Sequence, residues 1–232
     1  IFIVILFSIL FAQNEDTVQK THNISLVATS NVFAEYYDCG CPKAPLGGLA
    51  RKAFFFKNMM SEREPLLVDA GNTFFSHGVI NPDGLKTNHK KYKAENFVDA
   101  LEFIGYDVIN IGSNDFKLGE SFLQSITSES SINFISANLY DKSTDQLLFT
   151  PYHVLEEDGV KIGFIGLSEA TRYESIVNKN FISEGNKYID IVKTIVAFKP
   201  DAFIHTNISG WYPHKHYEVT KECLKYIKKE NF

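Results

Sequence analysis

The residues able to do chemistry gather just after short apolar runs. In VDAGNTFFSHG (68–78) a strand-like stretch ends at Asp69-Ala70-Gly71 and then offers Asn72 and Thr73. Similar positions elsewhere offer Ser30-Asn31-Val32-Phe33, Gly112-Ser113-Asn114-Asp115, and His205 with Asn207 and Ile208. Ligands of open α/β sheets bind outside the carboxyl ends of the strands, so these four groups are expected to share one edge. That edge is rich in amides and hydroxyls and poor in charge. An amide oxygen can ligate a hard cation but brings no net charge to it. Asn114 cannot serve as a general acid, because an amide does not titrate in the useful range. Asp69 reads as a strand-end residue that caps the following turn, and Asp115 as the N-cap of a helix over 116–126.

Other reactive side chains lie apart from these groups. His77, His205 and the pair His214 and His216 are spare metal donors. The His-Lys-His pair follows Pro213 in a loop, so its geometry is unset, and two solvated histidines at a helix start explain it. Cysteines number three, Cys39, Cys41 and Cys223. The spacing lacks the CxxC pair of a structural zinc site and the CxxCH of a c-type haem. Cys39-Gly40-Cys41 reads first as a loop staple or as two thiols without a role; a redox pair or a soft-metal pair is the functional alternative, and Cys223 is a possible partner for either sulfur.

The elements that must position these residues alternate. Strands are expected at 24–29, 66–71, 106–112, 131–140 and 201–207; a hairpin spans 147–167 around Glu157-Asp158-Gly159. Helices are expected over 48–62, 93–105, 116–126, 186–198 and 216–230. In 93–105, Phe97, Ala100, Leu101 and Ile104 fall on one face, with Gly105 as C-cap. Phe54, Phe55 and Phe56 are expected to be core with one exposed edge, and Phe74 and Phe75 with Trp211 and Tyr212 could line a base-stacking groove. Lys221, Lys225, Lys228 and Lys229 form a solvated helix face. Strand–helix alternation argues for α/β layers with a largely parallel sheet.

The 232 residues are 44% hydrophobic and 22% charged, with net charge −5. Twenty Phe and eleven Tyr can fill a sizeable core. No basic stripe is present, which argues against a nucleic-acid polymer as partner. Residues 1–12, IFIVILFSILFA, are too few to cross a bilayer comfortably and read as the apolar part of a signal peptide clipped at its front, with a buried first strand or a retained membrane anchor as the alternative. No stable membrane span is then expected after cleavage, and export to the periplasm or the extracellular space is.

Six blocks carry a resemblance: LVATSNVF (26–33), LGGLARKA (46–53), LLVDAGNTF (66–74), FVDALEFIGYDVINIGSNDF (97–116), FISANLYD (134–141) and PYHV…DGVKIGFIGLS (151–168). In their order and spacing, over about residues 24 to 210, the chain resembles the secreted 5′-nucleotidase branch of the calcineurin-like metallophosphoesterases. The resemblance implies a four-layer α/β/β/α sandwich with mixed sheets over 13–232, C-terminally incomplete. It also implies an ancestral hydrolysis of phosphomonoesters or 5′-nucleotides with two divalent metals. In that family the metals are held by an Asp-x-His, a bridging Asp, an Asn-His and later histidines. Matched residue by residue, the first Asp falls on Asn31 and its His on Phe33. The bridging Asp falls on Asn72, the ligand Asn on Ser113, and the catalytic His on Asn114. The Glu of the same motif falls on Asp115, and a later His near Asn207 or Ile208.

Two divalent ions about 3.5–4 Å apart repel, and anionic ligands must offset that repulsion. Five neutral or non-ligating residues at these positions leave no such centre. The expectation is therefore an exported pseudoenzyme with no metal or other cofactor, binding a protein, a glycan or a small anion in the former cleft. The alternative is an active hydrolase whose Mn, Zn or Mg site has been rebuilt on His77 and His205.

Overall fold

The computed structural model describes residues 23–43, 45–60, 62, 64–76, 80, 84–141, 143–168, 177–178 and 202–207. Four parallel strands, β1 (Leu26–Thr29), β2 (Leu66–Asp69), β3 (Val108–Asn110) and β4 (Asn133–Ile135), form one sheet in sequence order. A second sheet pairs β6 (Tyr152–Glu157) antiparallel to β7 (Val160–Leu167), and β7 parallel to β9 (Ala202–Asn207). Two short strands, β5 (Leu139–Tyr140) and β8 (Val177–Asn178), pair antiparallel.

The parallel sheet is covered on both faces, which is why β2 reads as an unbroken apolar run before Asp69, with all four residues buried. Alternation along the strands sorts the two faces. Leu67, Ile109 and Phe134 pack with the helices, among them Ala94, Phe97, Val98, Leu101 and Ile104 of α2 (Leu85–Ile104) and Leu123 of α3 (Glu120–Thr127). Leu66, Val68, Val108 and Ile135 pack instead with Ile162 and Phe164 of β7. Each fully buried Phe or Leu contributes roughly 1.5–3 kcal/mol through removal from water. The layers described are thus helix, sheet and sheet; the expected helices at 186–198 and 216–230, with their lysines, lie outside the described residues, as do residues 1–12.

Several local expectations need correction. The helix expected over 48–62 is α1 (Leu49–Phe54), continued by a π-helical turn at Phe55–Met59. Of its three phenylalanines Phe56 is buried, whereas Phe54 and Phe55 are exposed; three successive side chains fan around a helix and cannot all face the core. Helix α2 begins at Leu85 rather than 93; its first two turns, LKTNHKKY, are polar and carry no apolar stripe to read. It ends as expected at Gly105, φ 99°, whose N–H bonds Leu101 O while the Tyr106 N–H reaches the same oxygen. The helix expected over 116–126 is split into a 3₁₀ turn, Ser113–Leu118, and α3, with Gly119 between them. The hairpin turns at Asp158-Gly159 with φ 48° and 78°, the sign pattern of a type I′ turn. Phe74 and Phe75 are buried in the helix-side core, so they cannot line a groove.

Candidate functional site

The loops after β1, β2 and β3 meet at the carboxyl edge of the parallel sheet. Backbone bonds lace the first two: Asn31 N donates to Gly71 O (3.0 Å), Phe33 N to Asn72 O (3.2 Å) and Ala34 N to Thr73 O (2.7 Å). These bonds hold Asn31, Phe33 and Asn72 at φ 53°, 52° and 55°. Asn tolerates this left-handed conformation through its short polar side chain; for Phe33 it costs roughly 1–2 kcal/mol, offset by the surrounding bonds. The third loop closes against the second at Gly112, where an added Cβ would stand 2.3 Å from Asn72 N and 2.4 Å from Asn72 Oδ1. Only a residue without a side chain admits that approach.

Three amides converge there. Asn72 Nδ2 donates to Asn31 Oδ1 (2.9 Å), and Asn72 Oδ1 accepts from the Asn114 backbone N–H (2.9 Å). Both polar ends of the buried Asn72 side chain are therefore engaged. Asn31 lies at the exposed rim; Asn114 is buried, and Ser113 beside it is half-buried. Phe33 stands on the same loop as Asn31. The structure thus brings Asn31, Asn72 and Asn114 together, although they are 41 and 42 residues apart.

Beneath the amides lie two buried carboxylates. Asp69 Oδ1 accepts from Gly71 N (2.8 Å) and Thr73 Oγ1 (3.0 Å), and its Oδ2 accepts from Thr29 Oγ1 (2.5 Å). Burial pushes its carboxyl above the usual range, against these donors and the charge of Lys52. The expected role of Asp69 in capping the turn is seen in the Gly71 bond. Asp115 accepts from Phe74 N through Oδ1 and from Gly112 N through Oδ2, both at 2.8 Å. It occupies the third position of the 3₁₀ turn, not the N-cap of α3, which corrects the sequence expectation: its partners come from loops the local sequence does not reveal. Burial pushes Asp115 up to about 7, with the two backbone donors opposing.

A further polar group joins the two sheets at this edge. Asn110 Nδ2 donates to Ala70 O (2.9 Å) and to Leu167 O (2.8 Å). Asn138 Nδ2 donates to Ser168 O (2.7 Å), Asn138 Oδ1 accepts from Ser168 N (2.8 Å), and the Ser136 and Ser168 hydroxyls are 2.8 Å apart. Sequence reasoning missed these residues as a set; the signal was a polar residue at the end of each apolar run. They explain why the blocks at 134–141 and 151–168 must be spaced as they are.

The remaining candidates divide. His205 lies on β9 in register with Ile165, and Asn207 with Leu167, so β9 ends at the same edge. His77, Ile208, Trp211, Tyr212, His214 and His216 lie outside the described residues. Among the described residues no group of three or more His, Cys, Asp or Glu is placed to hold a metal ion. Cys39 and Cys41 are bonded to each other, and Cys223 lies outside the described residues. A cleft of about 440 Å³ opens between α3 and the 148–153 segment, lined by Thr127, Phe134, Phe149 and His153 among others, and none of the loop residues above lines it.

No family model matches the chain. Over 69 residues it is 39% identical to protein UshA of Yersinia enterocolitica, covering 30% of this chain and 12% of that one. Over 75 residues it is 36% identical to a 5′-nucleotidase of Vibrio cholerae, covering 32% and 14%. Among solved structures it superposes on the 5′-nucleotidase precursor of Thermus thermophilus with TM-score 0.64 at 20% identity, covering 84% of this chain and 38% of that one. On the calcineurin-like phosphoesterase YfkN of Bacillus subtilis the TM-score is 0.62 at 20% identity, covering 81% and 62%. The chain therefore spans a small part of its curated relatives' length.

Proposed function

Since the chain is a relative of the 5′-nucleotidases and has the calcineurin-like phosphoesterase fold, we propose that it is an exported, non-catalytic binding domain. Its former catalytic cleft would take a protein, a glycan or a small anion rather than turn over a phosphoester. One observation carries this reading: the amide of Asn72 is spent on Asn31 and Asn114, at the place where a metal-bridging carboxylate would be required. Metals of the family's kind do not fit the donors present. Asn31, Asn72, Ser113 and Asn114 bring no anionic group, and Phe33 brings no donor. The nearby carboxylates of Asp69 and Asp115 already accept bonds through both oxygens. Two close divalent cations would face that neutral rim without the charge needed to offset their repulsion. No step is therefore routed through them. Export is supported by the apolar run at 1–12 and by likeness to a protein described as a precursor.

The test is hydrolysis of 5′-nucleotides and a chromogenic phosphomonoester by the purified chain with added Mn²⁺ or Zn²⁺. The reading expects rates equal to a metal-only blank. Turnover that needs the metal and disappears with chelator would replace it with a hydrolase whose site is rebuilt, His77 and His205 being the first residues to change.

A further inference from the structure

The loop from Asp38 to Gly47 is held firmly at one end and left open at the other. Asp38 and Gly47 form an antiparallel bridge, and Cys39 N donates to Leu46 O at 2.9 Å. Arg51 spans the loop base, its Nη1 donating to Pro45 O and its Nε standing 3.9 Å from Asp38 Oδ2. Cys39 is therefore anchored in this small ladder. Cys41, two residues on and bonded to it, follows a turn at Gly40 outside the Asp38–Gly47 bridge and, like Cys39, is exposed. The two sulfurs also differ in surroundings. The Leu46 N–H points at Cys39 Sγ, 3.3 Å away. Tyr37, 82% exposed, and Leu46, 70% exposed, flank the disulfide with apolar surface.

We infer that the Cys39–Cys41 disulfide is a thiol–disulfide exchange site that oxidises a cysteine pair on a polypeptide partner. A partner thiolate attacks Cys41 Sγ. The Cys39–Cys41 bond breaks, and its electron pair leaves on Cys39 Sγ, where the Leu46 N–H stabilises the thiolate. The second partner thiolate then attacks the partner sulfur of the mixed disulfide and expels Cys41 as a thiolate. The partner has lost two electrons and gained a disulfide; Cys39 and Cys41 have gained those electrons and take up the two protons the partner released. A low-molecular-weight disulfide of the glutathione type reverses the change on the loop by the same exchange. Exposed Tyr37 and Leu46 suit an unfolded or extended chain better than a small thiol. This inference is independent of whether the cleft hydrolyses anything.

The experiment uses the whole chain with Cys223→Ser, so that every thiol released comes from the loop. The oxidised protein is mixed with a synthetic peptide carrying two cysteines, and acid-quenched samples are alkylated and weighed by mass spectrometry. The inference expects stoichiometric conversion of peptide dithiol to peptide disulfide with matching appearance of Cys39 and Cys41 thiols. It also expects reoxidation by glutathione disulfide, and glutathione adducts at least several-fold richer on Cys41 than on Cys39. A pair that stays oxidised in excess dithiol overturns the inference, as does a pair that glutathione disulfide fails to reoxidise. Adducts favouring Cys39 overturn it too, because they place the leaving thiolate away from Leu46.

Discussion

At the carboxyl edge of the parallel sheet, the amides (the rim) and the fully buried carboxyls (the floor) are built on opposite electrostatic plans. At the floor, Asp69 and Asp115 are buried carboxylates, each met by donors from neighbouring loops: Thr29, Gly71 and Thr73 for one, Phe74 and Gly112 for the other. At the rim, Asn31 and Asn72 are neutral and are matched to each other and to the Asn114 backbone. The floor carboxyls hold the loops in place by accepting these bonds, while the rim amides of Asn31 and Asn72 are bonded without any charge of their own.

The contrast can be broken most severely at the floor. Asp69→Ala removes the acceptor for one backbone N–H and two hydroxyls. It should destabilise the protein by about 3–5 kcal/mol, since each buried donor left unmatched costs roughly 1–3 kcal/mol. Urea unfolding midpoints would measure this, and a loss below about 1 kcal/mol would show that Asp69 does not organise the turn.

Titration of the floor comes next. The folded carboxyls of Asp69 and Asp115 are raised above the ordinary value near 3.8, Asp115 to about 7. The native state then binds more protons than the unfolded state between those pH values, so stability is greatest below about 4 as far as these groups decide it. It is lost as pH rises through 7, by a few kcal/mol at most. Asp115→Asn should flatten that slope, whatever its constant offset; an unchanged slope from pH 4.5 to 7.5 would remove Asp115 from the account.

Where rim and floor touch, Gly112→Ala places a methyl within 2.4 Å of Asn72 Oδ1 and should cost about 3 kcal/mol by forcing the two loops apart. Calorimetric melting with and without the substitution would read it, and a neutral result would mean that the loops are not packed as described.

The smallest effect sharpens the comparison at the rim itself. Asn31→Asp together with Asn72→Asp puts two carboxylates where one amide now donates to another. In chelator the double variant should lose about 1–2 kcal/mol through like-charge repulsion. Mn²⁺ should restore part of that loss in the variant and do nothing for the parent; equal responses of the two proteins would sever the link between charge and metal.

Much of the framework was legible in the sequence. The apolar runs ending at Gly71 and Gly112 announced buried parallel strands, somewhat longer than β2 and β3 turn out to be, and Glu157-Asp158-Gly159 announced the hairpin, because period and turn chemistry are local. Two kinds of feature escaped. The polar start of α2 and the exposure of Phe54 and Phe55 were hidden because neither shows in a hydrophobic pattern. The partners of Asp115 were hidden because Phe74 is 41 residues away, and no local rule selects it over an N-cap. The site positions were named through resemblance, but the mutual bonding of Asn31, Asn72 and Asn114 is a tertiary fact. So is the choice of Cys41 as the partner of Cys39.

Equilibrium binding of Mn²⁺ to the unmodified chain, followed by titration calorimetry and by elemental analysis after dialysis, tests the central claim most directly. A neutral rim predicts no saturable uptake at micromolar metal and none retained through dialysis. Two ions retained per chain, and lost on Asn72→Ala, would contradict it.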